Sequence, residues 1–174
     1  MLSIVLPVVA RITGAANRED IAEAAATAIL ASPSAIPLFT MYARGGLALE
    51  AVRRADVAAA PEHYNALGSM ESMAFPGNVI VVAGLLGLLA QTMGNMAQFA
   101  AHFEDALAFC RKAGFGPALA WTCCDYADML RERDGEGDRT KAMTLLDESL
   151  SISNELGMRP LMERVLSRRE MLSA

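Results

Sequence analysis

The chain has 174 residues, which is enough for one domain with a proper core or for about four pairs of helices. Apolar residues make up 53% of it and aromatic residues only 6%, a composition that favours helices packed through small side chains over a β-sandwich. The net charge is −5 and no run of Lys and Arg occurs, so we expect no nucleic-acid partner for this domain.

Cysteine usage and hydropathy indicate the compartment. The three cysteines, Cys110, Cys123 and Cys124, form no Cys-x-x-Cys motif, which is typical of a reduced, cytoplasmic setting. The apolar stretch 2–10 lacks the basic region and the small-residue cleavage site of a signal peptide. The apolar stretch 79–90 is too short to span a bilayer. We therefore expect a cytoplasmic protein without a membrane partner.

Turn and capping residues divide the chain into helices. The predicted helices, in chain order, are 2–13, 18–31, 35–54, one ending near 67, 79–93, 96–113, 117–133, 139–156 and 160–172. The predicted N-caps are Asn17, Asp56, Asn78 and Asp138, the predicted C-caps are Gly114 and Gly157, and Pro76-Gly77 is a predicted break. No stretch alternates with period two for long enough to form a strand, so the predicted fold class is all-α.

Short turns join these helices in pairs, which predicts antiparallel helix hairpins. The hairpins are expected at about 2–31, 35–67, 78–113 and 116–156, with a last helix at 158–172. All of them are assigned to a single domain that covers residues 1–174.

The C-terminal half matches itself at an offset of 43 residues. The identical pairs are Gly94 with Gly137, Leu107 with Leu150, Gly114 with Gly157, and Pro117 with Pro160. Between them, Phe99, Phe103 and Ala106 align with Ala142, Leu146 and Ser149. A period in this range, with helical spacing inside it, indicates stacked helix pairs that form an α-solenoid.

On these residues the chain resembles the tetratricopeptide (TPR) repeats. That family has a small residue in the first helix, Gly-Asp or Gly-Asn at the turn, and small, aromatic and small residues in the second helix. Those roles are filled by Gly87, Gly94-Asn95, Phe99, Phe103 and Ala106, and in the next repeat by Ala127, Gly137-Asp138, Ala142, Leu146 and Ser149. The resemblance implies a TPR-like α-solenoid that ends in a capping helix.

Residues 77–174 also resemble the helical tail of large bacterial signalling ATPases, including cyclase-linked and LuxR-type regulators. The resemblance is carried by Ala120-Trp121-Thr122, Asp125 to Leu130, Leu145 to Leu150 and Glu155 to Leu161. It implies a sensory or scaffolding role beside a catalytic module. The sequence itself has no Gly-x-x-x-x-Gly-Lys-Ser/Thr loop for a nucleotide phosphate.

Catalytic and metal chemistry find little support in the sequence. Cys123 and Cys124 with His102 are weighed as a thiol–imidazole pair, but no nearby group would lower a thiol pKa. Asp125 and Asp128 lie one helical turn apart, which we interpret as a solvated face balanced by Arg131 and Arg133. The two histidines are too few for a zinc centre, so no metal, cofactor or catalytic residue is expected.

A partner-binding groove is the candidate site. In TPR arrays the first helices of the pairs line a concave groove, and the resemblance assigns to it Tyr42, Leu49, Leu88, Gln91, Trp121, Asp128 and Arg131. An aromatic side chain beside charged ones suits the capture of a peptide. The alternative for Trp121, the only tryptophan, is that it covers the hairpin junction as part of the core.

These patterns favour a protein-interaction or scaffolding module that binds a protein or peptide segment. One alternative is a small-molecule sensor with its ligand between hairpins, where Gly84 and Gly87 leave room. Another is a homodimer that forms through the apolar stripe of the last helix, which otherwise caps the array. That stripe consists of Leu161, Met162, Val165, Leu166 and Leu172.

Overall fold

The computed structural model describes residues 1–14, 18–71, 73–75 and 79–173, with the side chain of Glu19 left undescribed. Within these ranges the chain forms nine α-helices, one turn of 3-10 helix and no β-strand, so the all-α prediction is confirmed. The helices are α1 Leu2–Thr13, α2 Glu19–Ala31, α3 Pro37–Arg53, α4 Ala60–Leu67, α5 Val82–Thr92, α6 Met96–Ala113, α7 Gly116–Arg133, α8 Asp138–Glu155 and α9 Arg159–Ser173. No helix in the described part of the chain is both long and apolar enough to cross a membrane.

Two helices, α4 and α5, begin three residues later than predicted, whereas the other starts differ from the prediction by two residues at most. Helix α5 begins at Val82 because the backbone before it pairs with an earlier segment: Val82 donates its N–H to Met73 at 2.9 Å, and Phe75 donates to Ile80 at 3.1 Å. The chain is therefore not helical at 79–81, and Val81 forms an isolated antiparallel bridge with Ala74.

Before α4, Asp56 caps a turn rather than the helix itself. Its Oδ1 accepts the N–H groups of Ala58 and Ala59, each at 3.0 Å, and the helix follows from Ala60. The predicted caps Asn17 and Asn78 and the predicted break Pro76-Gly77 lie outside the described residues.

The helices pack in two layers that follow chain order. Helices α1, α3, α5, α7 and α9 contact one another in succession, and each even-numbered helix packs mainly on its two neighbours in sequence. Helix α9 also contacts α1, so the first and last helices meet. This contact joins segments that a simple linear stack would keep apart.

The self-match in the sequence corresponds to repeated burial. Its six core side chains have no exposed surface in either copy: Phe99, Phe103, Ala106, Ala142, Leu146 and Ser149. The Ser149 hydroxyl replaces an apolar group and donates to the carbonyl of Ala120 at 2.7 Å, which ties α8 to α7. Both copies end in a left-handed glycine, with φ of 69° at Gly114 and 65° at Gly157, where a side chain would be strained.

Helix α9 covers the hairpin formed by α7 and α8. Leu161, Val165 and Leu172 are buried, whereas Leu166 is 46% exposed. Arg169 on the outer side pairs with Asp147 of α8 at 3.0 Å. Most of the apolar stripe is thus used within the chain, as a capping helix requires.

The loop between α7 and α8 is held by Asp138. Its carboxylate accepts hydrogen bonds from Arg133 Nε at 2.7 Å, from Arg133 Nη2 at 2.5 Å and from the Gly135 N–H at 2.9 Å. The hydrogen bonds from Arg133 lower the pKa of Asp138 from 3.8 to about 2. The ionised carboxylate is therefore favoured in the folded protein.

We expect Asp138→Asn to lower the free energy of unfolding by about 2 kcal/mol at pH 7, because charged hydrogen bonds are lost at a buried position. The folded-state pKa lies below the ordinary value of 3.8, so this contribution is complete above pH 3.8 and is lost as pH falls through about 2. Urea unfolding at several pH values measures the difference in the free energy of unfolding between the wild type and the variant. This difference should shrink by roughly half between pH 5 and pH 3. Asp134→Asn, an exposed change in the same loop, is the control.

Candidate functional site

Two arginines from opposite ends of the chain lie over Trp121. The guanidinium carbon of Arg11, in α1, is 5.1 Å from the centre of the indole ring, and that of Arg164, in α9, is 5.6 Å away. Trp121 itself, in α7, is only 3% exposed. The cation–π geometry stabilises both positive charges while the ring is largely shielded from water.

Two aspartates of α7 hold these arginines in place. Asp125, which is buried, accepts a hydrogen bond from Arg11 and lies 3.6 Å from Nη2 of Arg164. Asp128 accepts hydrogen bonds from Arg164 at 3.1 Å and from Arg168 at 2.7 Å. We call these five residues the arginine–aspartate clasp, because they join α1, α7 and α9.

Burial disfavours the charged form of Arg164, and the nearby carboxylates of the clasp outweigh this penalty. Burial alone would lower the pKa of Arg164, but Asp125 and Asp128 raise it, so the guanidinium stays charged. The interpretation of the two aspartates as a solvated face balanced by Arg131 and Arg133 is therefore wrong for Asp125. Arg133 pairs instead with Asp138, outside the clasp.

The clasp borders a cavity that we call the arginine cavity. It measures about 310 Å³ and lies between α1, α3 and α9. Its charged lining residues are Arg11, Glu50, Arg53 and Arg164, and its apolar ones include Pro7, Ala10, Leu49 and Val52. The cavity therefore combines several fixed charges with an apolar wall.

A second cavity has no charged lining residue, and we call it the apolar cavity. It measures about 410 Å³ and lies between the end of α1, the start of α7, the α8–α9 connection and the start of α9. Its lining residues are Ile12, Val79, Pro117, Trp121, Leu156, Met158, Pro160 and Leu161. The arginine cavity thus touches the clasp through Arg11 and Arg164, and the apolar cavity borders Trp121, over which those two arginines lie.

The seven predicted groove residues do not form one exposed surface. Leu49, Leu88 and Trp121 are buried, and only Tyr42, Gln91, Asp128 and Arg131 are partly exposed. Of the two positions expected for Trp121, an open groove or the core, the structure shows the core, because the side chain is buried. Three of these four partly exposed residues also have partners: Gln91 donates to Glu132 at 2.6 Å, Arg131 donates to the sulfur of Met171 at 3.1 Å, and Asp128 belongs to the clasp. Of the seven, Asp128 belongs to the clasp, Trp121 lies against its arginines, and Leu49 lines the arginine cavity.

The space predicted for a ligand around Gly84 and Gly87 is filled by the chain. A Cβ atom at Gly87 would lie 2.6 Å from the ring of Phe103, so the glycine makes room for that buried side chain. At Gly84 the nearest atoms belong to Val81 and Thr122, at 3.6 and 3.7 Å, which is ordinary contact. A small-molecule site at this position loses its support.

The thiols and the histidine considered for catalysis lie in unsuitable surroundings. All three cysteines are buried and unpaired, and burial raises the pKa of Cys110 to about 11 and that of Cys124 to about 12. His102 is occupied elsewhere, with Nε2 2.6 Å from the Tyr64 hydroxyl and Nδ1 2.5 Å from the Glu71 carboxylate. Among the described side chains, no group of three or more His, Cys, Asp and Glu residues is placed to hold a metal ion.

Sequence reasoning missed the clasp because its partners are far apart in the chain. Arg11 and Asp125 are separated by 114 positions, and no local pattern relates them. The spacing of Asp125 and Asp128 was the only available sign, and the cations that pair with them lie on other helices. Comparison with protein-family models finds no match for this chain, and comparisons with curated proteins and with solved structures find none either.

Proposed function

We propose that this chain is a protein-interaction module that receives an apolar side chain of a partner segment in the apolar cavity. The observation that supports it is a cavity of about 410 Å³ lined by apolar residues, with Trp121 in its wall. Its volume lies within the range of roughly 300–1,000 Å³ that is typical of binding pockets. Pockets that accept an aromatic or aliphatic anchor dominate the free energy of many interfaces.

The surroundings of the apolar cavity also suit a peptide. Leu156, which is 48% exposed, and Met158, which is partly exposed, extend apolar surface beyond the opening. The charged groups of the clasp lie next to Trp121. A partner segment would thus bury an anchor side chain in the cavity and place polar groups near the clasp.

The position of this cavity fits a regulatory role. It is lined by residues of α1, α7, the α8–α9 connection and α9, so an occupant would contact both the first and the last helix. On the resemblance to TPR repeats and to the tails of bacterial signalling ATPases, we propose a sensory or scaffolding tail that links partner binding to a catalytic module. The three buried, unpaired cysteines are compatible with a cytoplasmic location.

A homodimer through α9 is a weaker proposal. The dimer hypothesis needs an exposed apolar stripe, but Leu161, Val165 and Leu172 are buried within the chain. Only Leu166 of that stripe remains strongly exposed. Such a surface is small compared with that of a stable dimer interface.

Binding to the apolar cavity is testable with selected peptides. Peptides enriched from a random display library against the wild-type protein should change the emission of Trp121, the only tryptophan. Leu156→Asp places a charge at the cavity opening and should lower the affinity for these peptides tenfold or more. The reason is that an apolar contact with the peptide is replaced by a charge that must be desolvated on binding. Fluorescence titration measures both affinities.

The matched control is Leu166→Asp, because Leu166 is 46% exposed and lies outside the lining of the apolar cavity. This variant should bind the peptides as the wild type does. Peptides that bind all three proteins with equal affinity would place the partner surface elsewhere and contradict the proposal.

A further inference from the structure

We propose that the arginine cavity binds a small organic anion, namely a molecule that carries a phosphate or carboxylate group next to a short apolar part. The cavity and the apolar cavity have no lining residue in common. The inference is therefore independent of peptide binding, and either proposal can fail without the other.

The charges around the arginine cavity favour an anion. Its lining contains three guanidinium groups but a single carboxylate, and that carboxylate, Glu50, already accepts hydrogen bonds from Arg53 at 2.9 and 3.1 Å. The clasp behind the wall adds two carboxylates and one guanidinium. Among these described side chains the cations exceed the anions by one: Arg11, Arg53, Arg164 and Arg168 against Glu50, Asp125 and Asp128. A partly enclosed site with excess positive charge concentrates anions.

Two arginines of the lining keep an unused hydrogen-bond donor. The Nε–H groups of Arg11 and Arg164 are buried and have no acceptor among the described residues. The aspartates of the clasp engage these arginines through Nη2 instead. A buried donor without an acceptor costs free energy, and the planar guanidinium fork fits the oxygens of a phosphate or carboxylate. An anion that enters the cavity and draws the two side chains toward it would use these donors.

The remaining wall sets the character of the rest of the ligand. Pro7 and Ala10 of α1 face the cavity from one side, and Leu49 and Val52 of α3 line it from the other. These residues suit a few methylene groups, and the volume of about 310 Å³ limits the ligand to a compact molecule. A purely inorganic anion would leave this wall unused.

The site exists only where the two ends of the chain meet. Helices α1 and α3 supply most of the lining and α9 supplies Arg164. A ligand held by Arg11 and Arg164 together would strengthen the contact between α1 and α9. Since both guanidinium groups lie over Trp121, their movement should change its emission.

Fluorescence titration at constant ionic strength tests the site. The probes are monobutyl phosphate, pentanoate, inorganic phosphate and the neutral butanol, with sodium chloride replaced in proportion. We expect a saturable change in Trp121 emission with monobutyl phosphate or pentanoate. Monobutyl phosphate should bind at least tenfold more tightly than inorganic phosphate, because its methylene groups meet the apolar wall. Butanol should give no saturable change.

Two variants and one control locate the binding. Arg164→Lys keeps the charge but removes the planar guanidinium group, and it should lower the affinity for the anions at least tenfold. Arg53→Gln changes the cavity lining without changing a clasp residue, and it should lower the affinity as well. Arg169→Lys, on the same helix but paired with Asp147, should bind as the wild type does. The proposal is overturned if butanol reproduces the anion response, if no anion saturates, or if Arg164→Lys and Arg53→Gln both retain wild-type affinity.

Discussion

Gly46→Ala is expected to displace helix α1 from its packing position against α3. A Cβ atom at Gly46 would lie 1.7 Å from the carbonyl oxygen of Ser3 and 2.7 Å from its carbonyl carbon. These are backbone atoms, so no side-chain rotation relieves the overlap, and α1 as a whole must move. Helix α1 carries Arg11, and its displacement therefore also weakens the clasp around Trp121.

The size of this effect follows from two opposing contributions. Overpacking of a tight contact costs about 3 kcal/mol, while replacing a helical glycine with alanine recovers about 1 kcal/mol of backbone entropy. We expect a net loss of roughly 2 kcal/mol, which corresponds to a drop of about 4–8 °C in the thermal midpoint for a chain of this size. Calorimetry measures the drop, and limited proteolysis should show earlier cleavage within residues 1–14.

Gly84→Ala is the matched control for this prediction. Gly84 also lies within a buried helix, but its added Cβ would be at ordinary contact distance from Val81, Thr122 and Ala106. The same change of residue should therefore stabilise the protein slightly, by up to about 1 kcal/mol. Equal midpoints for the Gly46 and Gly84 variants would show that α1 is not seated as described.

Asp125→Asn should destabilise the protein more than the corresponding changes at the other ion pairs, Asp138→Asn and Asp147→Asn. The substitution preserves the shape of the side chain but leaves Arg11 and Arg164 with one carboxylate fewer at a buried position. Removing one partner of a buried ion pair costs about 3–5 kcal/mol, because the remaining charge stays desolvated. Urea unfolding should show a loss of at least about 3 kcal/mol, together with a change in Trp121 emission.

Asp147→Asn removes the same charge from an exposed ion pair. Asp147 is 55% exposed and pairs with Arg169 at 3.0 Å, so water replaces the lost partner at little cost. We expect a loss below about 1 kcal/mol for this variant. If both aspartate variants lost the same small amount, the clasp would contribute no more than a surface pair, and the described junction of α1 with α9 would be in doubt.

Local chemistry made most helix ends predictable. Asn95 accepts the N–H of Gln98 and begins α6 at Met96, while Gly114 adopts the left-handed conformation that ends it. These residues act within one helical turn, so the neighbouring sequence suffices to place the boundary. The start of α5 was not predictable in this way, because its delay comes from backbone pairing with the segment that contains Met73 and Phe75.

The candidate sites were predictable only in part. The sequence shows, within one predicted helix, the only tryptophan, Trp121, and two aspartates one turn apart, Asp125 and Asp128. Their environment depends on Arg11 and Arg164, which α1 and α9 bring to α7. No property of α7 alone distinguishes a buried, paired aspartate from one on a solvated face.

By itself the sequence determined an all-helical chain, its pairing of helices across short turns and the repeated core positions of its C-terminal half. Helix propensity, capping and apolar periodicity act over a few residues, and they are written in consecutive positions. Tertiary structure alone decided that α1 meets α9, that Trp121 lies beneath two arginines and that two cavities open beside it. The reason is that such contacts depend on the accumulated packing angles of all the helices between the two ends of the chain.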